Sequence, residues 1–366
     1  MHLYGVFYLL PFIKKRFQNK KAHLAFLTLP ANHITLLKKQ QKILFNYAAG
    51  PVLFLILAFL LYGKVKNQPD LPQKIDLLKN IFSKENTGLL ICLFGLMMTN
   101  WGIEAYKWKL LMKPVQQVSY FIAVKAVLSG LSLSLFLPNG IGEYAGRTVY
   151  MEEGNRLRSV SLNVVGSMAQ LIITLVVGLF SLLYLRHNTW QSLPQVQGLS
   201  GLWLNGIFSM IALGTLILII TYFRLSWLAL LLEKIPFVNK YKLIIEGLEN
   251  FEWKYLTKIL ILSITRFCVF AVQYIVVLKL MHVQIDFINA FCTTSVLFIV
   301  LAILPTIPLA DIGIRSQVAT QLFGLLTGDI FGIVATTACI WFVNLIIPSM
   351  AGTLFISGIR IFKKLK

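Results

Sequence analysis

The sequence predicts an all-α polytopic membrane protein with about six full spans and two re-entrant helical hairpins. Three observations lead there. The chain is 57% hydrophobic and only 13% charged, where soluble domains carry about 25% charged residues. Several runs reach or approach the ~20 apolar residues a helix needs to cross the hydrocarbon layer, most clearly 44–62, 159–185, 203–223, 256–278 and 331–356. Two further segments, 118–158 and 285–328, begin as apolar helices and then break at Pro/Gly clusters. One transmembrane domain over 44–358 follows, between a basic segment 1–43 and a short basic tail 359–366. The first apolar run is broken by Pro11 and followed, not preceded, by basic residues, unlike a signal peptide.

Taken in order, the elements alternate sides. Segment 14–42 holds Lys14, Lys15, Arg16, Lys20, Lys21, Lys38, Lys39 and Lys42 with no acidic residue. Basic loops collect on the cytoplasmic face, which puts this segment inside and 44–62 crossing outward. Residues 88–110 return, ending at Trp108 with Lys107, Lys109 and Lys113 near the inner surface. Span 159–185 goes out and 203–223 comes back. The connection 224–255, with Arg224, Lys234, Lys240, Lys242 and Lys254, is an inner loop. Span 256–278 goes out, and 331–356 comes in before Arg360, Lys363, Lys364 and Lys366. The net charge of +20 thus belongs to an anionic membrane surface; nucleic acid is not an expected partner.

Segments 118–158 and 285–328 must each start and finish on one side. Limbs 118–137 and 285–304 read as helices, ending at Pro138, Gly140 and Gly142 in one and at Pro305, Pro308 and Gly313 in the other. The return limbs, 143–158 and 314–328, are too short or too polar for ordinary spans. Unit 88–185 is then a crossing, a hairpin and a crossing, and unit 256–356 is the same series with each direction reversed. Ile141-Gly142 and Ile312-Gly313 fall after the two breaks. Such inverted repeats place discontinuous helices and a central site near the midplane.

The candidate site follows from intramembrane charge, which is costly and therefore reads as functional. Glu143 and Arg147 are four apart, as are Asp311 and Arg315, each pair just beyond a break. Residues at this spacing share a helix face, and a guanidinium matches phosphate oxygens with a fixed fork of donors. An internal ion pair holding a hairpin tip is the structural alternative. Arg266 lies mid-span in 256–278 and needs a carboxylate, a cavity or a lipid phosphate. Headgroup binding is therefore assigned to Arg147, Arg315, Arg266, Glu143 and Asp311, with Glu104, Lys125, Gln170 and Gln273 as cavity-wall candidates. Glu152, Glu153, Arg156 and Arg158 read as a solvated rim. Tryptophans including Trp101, Trp108 and Trp341 read as interfacial anchors.

Other chemistries find little support. The four cysteines lie unpaired in apolar segments, the five histidines are scattered, and there is no HExxH or Walker pattern. No metal and no cofactor is expected.

Glu104-Ala105-Tyr106-Lys107-Trp108-Lys109-Leu110-Leu111, with Leu137-Pro138-Asn139-Gly140-Ile141-Gly142-Glu143-Tyr144-Ala145-Gly146-Arg147, resembles the lysylphosphatidylglycerol synthase transmembrane-region family. The resemblance runs from about residue 45 to 356, and Pro308 to Arg315 is a looser match. It implies a flippase-like domain in the bacterial inner membrane, moving or accommodating a polar lipid; the charge bias puts both termini on the cytoplasmic side. Aminoacylating relatives carry a soluble transferase domain after this region, whereas this chain stops at Lys366. It is not expected to make lysyl-phosphatidylglycerol unless a separate lipid-modifying enzyme supplies that step.

The leading expectation is translocation of an anionic or zwitterionic phospholipid, or a polyprenyl-phosphate-linked lipid, between leaflets. A membrane transferase acting on a lipid-linked donor, with Glu143 or Asp311 as acid or base, is the enzymatic rival. A noncatalytic subunit of an envelope complex is the third reading. A homodimer is also open.

Overall fold

The computed structural model describes residues 81–135, 137, 140–190, 201–225, 251–304 and 310–357, with isolated positions between 55 and 76. Segments 1–43 and 359–366, most of span 44–62, the inner-loop stretch 226–250, and Pro138, Pro305 and Pro308 lie outside them.

The described helices are α1 (Thr87–Met112), α2 (Tyr120–Ser134), α3 (Ile141–Thr148), α4 (Arg156–Asn188), α5 (Gly201–Phe223), α6 (Trp253–Leu280), α7 (Phe287–Ile303), α8 (Asp311–Phe323), α9 (Ile330–Trp341) and α10 (Ile347–Ser357). A π segment, Phe342–Ile346, joins the last two into one long span. Five helices are long and apolar enough to cross a membrane, and α2 and α7 are shorter apolar helices. Many of their large apolar side chains point outward, among them Ile91, Met98, Phe180, Met210 and Leu354. In water such a surface would drive association; in a bilayer it faces lipid. The chain is an all-helical, multi-pass membrane protein.

Helix α1 runs antiparallel to α6. Going up α1, the Leu93 carbonyl accepts from Gln273 Nε2 at 3.2 Å, Glu104 meets Arg266, and the Leu110 carbonyl accepts from the Tyr255 hydroxyl, so the α6 partner number falls as the α1 number rises. The packing of the two helical series corresponds. Helix α2 lies on α10 as α7 lies on α4, and α1 packs on α4 as α6 packs on α9. One apolar core gathers around Trp108 and Leu162. A second gathers around Tyr274 and Phe323, whose rings stack at 5.9 Å.

Helices α2 and α3 fold back on each other with backbones touching. A Cβ on Gly130 would come within 2.6 Å of the Glu143 carbonyl oxygen, and one on Gly146 within 2.5 Å of the Gly130 Cα. Gly142 likewise abuts the Leu133 and Ser134 backbone. Gly140 begins α3 at φ 72°, a left-handed conformation that glycine adopts without a Cβ clash. The return limb is thus eight residues of helix, shorter than the 143–158 expected from sequence. Arg156 and Arg158 instead open α4. Span 331–356 also departs from a plain α-helix: Pro348 offers no N–H to the Asn344 carbonyl four residues earlier, and the π turn absorbs the mismatch.

Candidate functional site

Glu104 is the hub of a buried ion cluster. Lys107 Nζ lies 2.8 Å from its carboxylate, Arg147 NH2 3.0 Å and Arg266 NH1 3.5 Å. These cations come from α1, α3 and α6, so one carboxylate ties three helices. Glu104 and Lys107 sit three apart on one helix face, turned inward where α1 meets α3 and α6. Arg147 falls in the last turn of α3, where the helix dipole favours a cation, and it also pairs with Glu143. Glu104, Lys107 and Arg147 are almost wholly buried; the side chains of Arg266 and Glu143 keep 20% and 34% of their exposure. Arg266 also donates to Gln170 Oε1 at 3.3 Å and lies 5.4 Å from the centre of the Trp101 ring, within cation–π range.

The second pair is separate. Asp311, the first residue of α8, accepts from Arg315 Nε at 2.7 Å. Both line a cavity of about 190 Å³. Its walls come from α1 (Asn100, Trp101), α6 (Arg266, Tyr274), α7, α8 and the α9–π segment (Thr337, Trp341, Asn344). Arg266 therefore belongs to both places: its guanidinium reaches the Glu104 cluster, and its side chain lines the cavity beside Asp311 and Arg315.

The cluster and the cavity redistribute the residues singled out in the sequence. Arg147 and Glu143 sit in the ion cluster and are not among the cavity-lining residues, whereas Arg266, Asp311 and Arg315 are. Glu104 lies at the centre of the cluster, and Gln170 supports Arg266. Gln273 is fully buried and joins α1 to the π segment, donating to the Leu93 carbonyl and accepting from Asn344 Nδ2 at 2.9 Å. Lys125 is elsewhere, its Nζ over the Phe121 ring at 4.5 Å and the Phe355 ring at 5.8 Å. Gly313 is buried in α8. Arg156 and Glu153 meet at 3.9 Å with exposed side chains, as a solvated rim does.

Other residues of the site were not read from sequence. Lys107, placed by sequence near the inner surface, is 2% exposed; its i,i+3 spacing from Glu104 was the available signal. Trp108 is core, and Trp101 and Trp341 line the cavity, not a membrane interface. Asn100 and Asn344 bond across the helices, Nδ2 to Oδ1 at 3.4 Å; no short motif announces such a pair. Among the described residues, no group of three His, Cys, Asp or Glu side chains is arranged to hold a metal ion.

A family model described as the lysylphosphatidylglycerol synthase TM region matches residues 47–352, most of the chain. No curated protein matches it significantly.

Proposed function

The chain belongs to the lysylphosphatidylglycerol synthase TM-region family, and we propose that it passes the headgroup of an anionic or zwitterionic lipid between leaflets of the bacterial inner membrane. Family and fold together support a membrane-embedded, lipid-translocating function. A phospholipid and a polyprenyl-phosphate-linked lipid both present the phosphate this site would take, while the acyl or prenyl chains stay in the bilayer.

One observation carries the reading: Arg266 bridges the buried cluster and the cavity. A phosphate entering the cavity meets Arg266 and Arg315, which replace its water with charge-assisted hydrogen bonds. Asp311 orients Arg315 while the site is unoccupied by lipid. Glu104, Glu143 and Arg147 hold α1, α3 and α6 in register behind it. Each carboxylate of the cluster and of the Asp311–Arg315 pair is engaged by a guanidinium or ammonium, and no observation favours the transferase reading.

The architecture we propose is an inverted repeat with two re-entrant hairpins, units 88–185 and 256–356, a sixth span at 44–62, and both termini cytoplasmic. Three features support it. Helices α1 and α6 run antiparallel, as the first helices of inverted units must. The packing partners of one unit correspond to those of the other. At 1.5 Å per residue, α3 is about 12 Å long and α2 about 22 Å, both short of a hydrocarbon core of ~30 Å. Exchange of the units would also turn the Asn100–Asn344 bond into the Arg266–Gln170 bond, since each joins the first long helix of one unit to the last of the other.

Leaflet exchange of fluorescent lipids in proteoliposomes tests the function. Wild type should exceed empty liposomes, and Arg266→Ala and Arg315→Ala should each fall at least tenfold with the protein still folded. Unchanged exchange in both variants, or none in wild type even under imposed ion gradients, refutes the proposal.

A further inference from the structure

Two arginines dominate the polar lining of the cavity between α1, α6 and α8. Asn100 Oδ1, Asp311 Oδ1 and the indole N–H groups of Trp101 and Trp341 have essentially no accessible surface, so none of them meets a ligand there. The Thr337 hydroxyl is bonded to the Tyr274 hydroxyl at 2.9 Å, and both residues are buried, as is Asn344. The side chains of Arg266 and Arg315, by contrast, keep 20% and 30% of their exposure. A ligand in this space is therefore read by two guanidinium groups, which suit phosphate oxygens.

An ammonium in the same space finds no open carboxylate among the described residues. Asp311 is the one carboxylate in the lining; its Oδ1 is sealed, and its Oδ2 accepts from Arg315 Nε at 2.7 Å. Glu104 and Glu143 are not among the lining residues, and cations engage both. Ring faces can take an ammonium in place of a carboxylate, but those of the lining are largely in use. The Arg266 guanidinium lies 5.4 Å from the centre of the Trp101 ring, Phe270 stacks on Phe298 at 5.0 Å, and Tyr274 stacks on Phe323 at 5.9 Å. The formal charges agree with this. Arg266 and Arg315 exceed Asp311 by one positive charge, and adding Lys107, Arg147, Glu104 and Glu143 leaves four cations against three carboxylates. A phosphodiester cancels the excess. A headgroup that adds an ammonium restores it away from bulk water, where an unpaired charge is most costly.

Resting on the translocation reading, we infer that the cavity selects lipids by net charge: it takes a phosphodiester lipid with one negative charge, without reading the neutral group beyond the phosphate, and disfavours a headgroup that adds an ammonium. Phosphatidylglycerol and a polyprenyl-phosphate-linked sugar fall in the accepted class. Phosphatidylethanolamine, phosphatidylcholine and lysyl-phosphatidylglycerol, which carries two ammonium groups, fall outside it. Discrimination comes from leaving the wrong headgroup's charge unpaired. Arg315 sets it, because its guanidinium both occupies the Asp311 carboxylate and supplies the excess charge.

Leaflet exchange of chain-labelled tracers in phosphatidylcholine vesicles holding the full chain tests this. The tracers are phosphatidylglycerol, phosphatidylmethanol, phosphatidylethanolamine, phosphatidylcholine, lysyl-phosphatidylglycerol and a polyprenyl-phosphate hexose. Phosphatidylmethanol keeps the charge of phosphatidylglycerol and removes its hydroxyls. These two should exchange at similar rates, each at least tenfold faster than the three ammonium lipids. A polyprenyl-phosphate hexose faster than both identifies the polyprenyl lipid as the source, and the reverse identifies the diacyl lipid; the order among the phospholipids is the same in either case. Arg315→Gln removes the excess charge and should lower the ratio of phosphatidylglycerol to phosphatidylethanolamine exchange at least tenfold, whereas Arg315→Lys keeps the charge and should preserve the preference. Equal rates for all phospholipids, faster exchange of any ammonium lipid, or phosphatidylglycerol tenfold faster than phosphatidylmethanol overturns the inference while leaving translocation intact. So does an Arg315→Gln variant that slows all lipids by one factor. Exchange of no lipid at all overturns the translocation reading itself. If the Arg315 variants fail to fold, the wild-type comparison decides alone.

Discussion

Replacing Glu104 by Gln keeps the side chain's size and removes the one carboxylate that contacts Lys107, Arg147 and Arg266 together. The distances, 2.8, 3.0 and 3.5 Å, and the near-complete burial of three of the four groups place this among buried ion pairs, where losing one partner destabilises by about 3–5 kcal/mol. The three cations would keep only Glu143, already engaged by Arg147. At roughly 2–4 °C per kcal/mol for a domain of some 150–250 residues, the midpoint of thermal unfolding in detergent should drop by about 10 °C. The double variant Glu104→Gln/Lys107→Met restores the cluster's formal charge and replaces the shortest of the three contacts with Glu104 by an apolar side chain, a substitution often neutral for buried pairs. It should recover at least half of the loss. Fluorescence-detected size-exclusion after a heating series measures both. A Glu104→Gln midpoint within about 2 °C of wild type, or a double variant less stable than the single one, refutes the account of Glu104 as the charge that holds α1, α3 and α6 together.

Two further predictions use the same assays. Gly146→Ala sets a methyl group against the Gly130 and Ser129 backbone and should destabilise by about 1–3 kcal/mol; Gly166→Ala meets only the tip of the Leu111 side chain and should do less, so a larger effect at Gly166 would count against backbone contact between α2 and α3. The exchange Asp311→Arg/Arg315→Asp keeps an i,i+4 pair but puts a cation in the first turn of α8, costing up to ~1 kcal/mol. Stability near wild type with leaflet exchange down at least tenfold is expected; full exchange would leave the pair a hairpin brace only.

The spans were legible because hydrocarbon thickness sets their length and little else competes with it. The ends of α1, α4, α5 and α6 fall within three residues of the apolar runs that announce them. The breaks were legible for a similar reason, since Gly140 and Gly142 occupy positions a Cβ would obstruct or strain. Lys107 and Trp108 were not. A lysine beside a tryptophan at the end of a run has the composition of a membrane interface, and it takes packing from α4 and α6, distant in sequence, to turn that end of α1 into core. The same limit applies to Arg147. Its spacing from Glu143 predicted their pairing, but not the carboxylate on α1 that draws it out of the cavity lining. Asn100 and Asn344, 244 residues apart, carry no local signature at all.

The three cations around Glu104 are not held equally, and the inequality bears on function. Lys107 is a helical neighbour of the carboxylate, and Arg147 is clasped by two carboxylates with its side chain 6% exposed. Arg266 has the longest contact with Glu104, the most exposure, and for its remaining support a neutral amide and a ring face. Coulomb attraction falls with distance and with access to solvent, so Arg266 is the cation most readily released. Buried ion pairs contribute little net stability compared with apolar packing of the same volume, which makes a five-group cluster with an excess positive charge a poor device for stability alone. An anion in the cavity cancels the excess and competes with Glu104 for the cation least firmly bound. On the proposed function, the cluster thus orients Arg266 inside the membrane, at the place where a lipid phosphate would exchange water for protein.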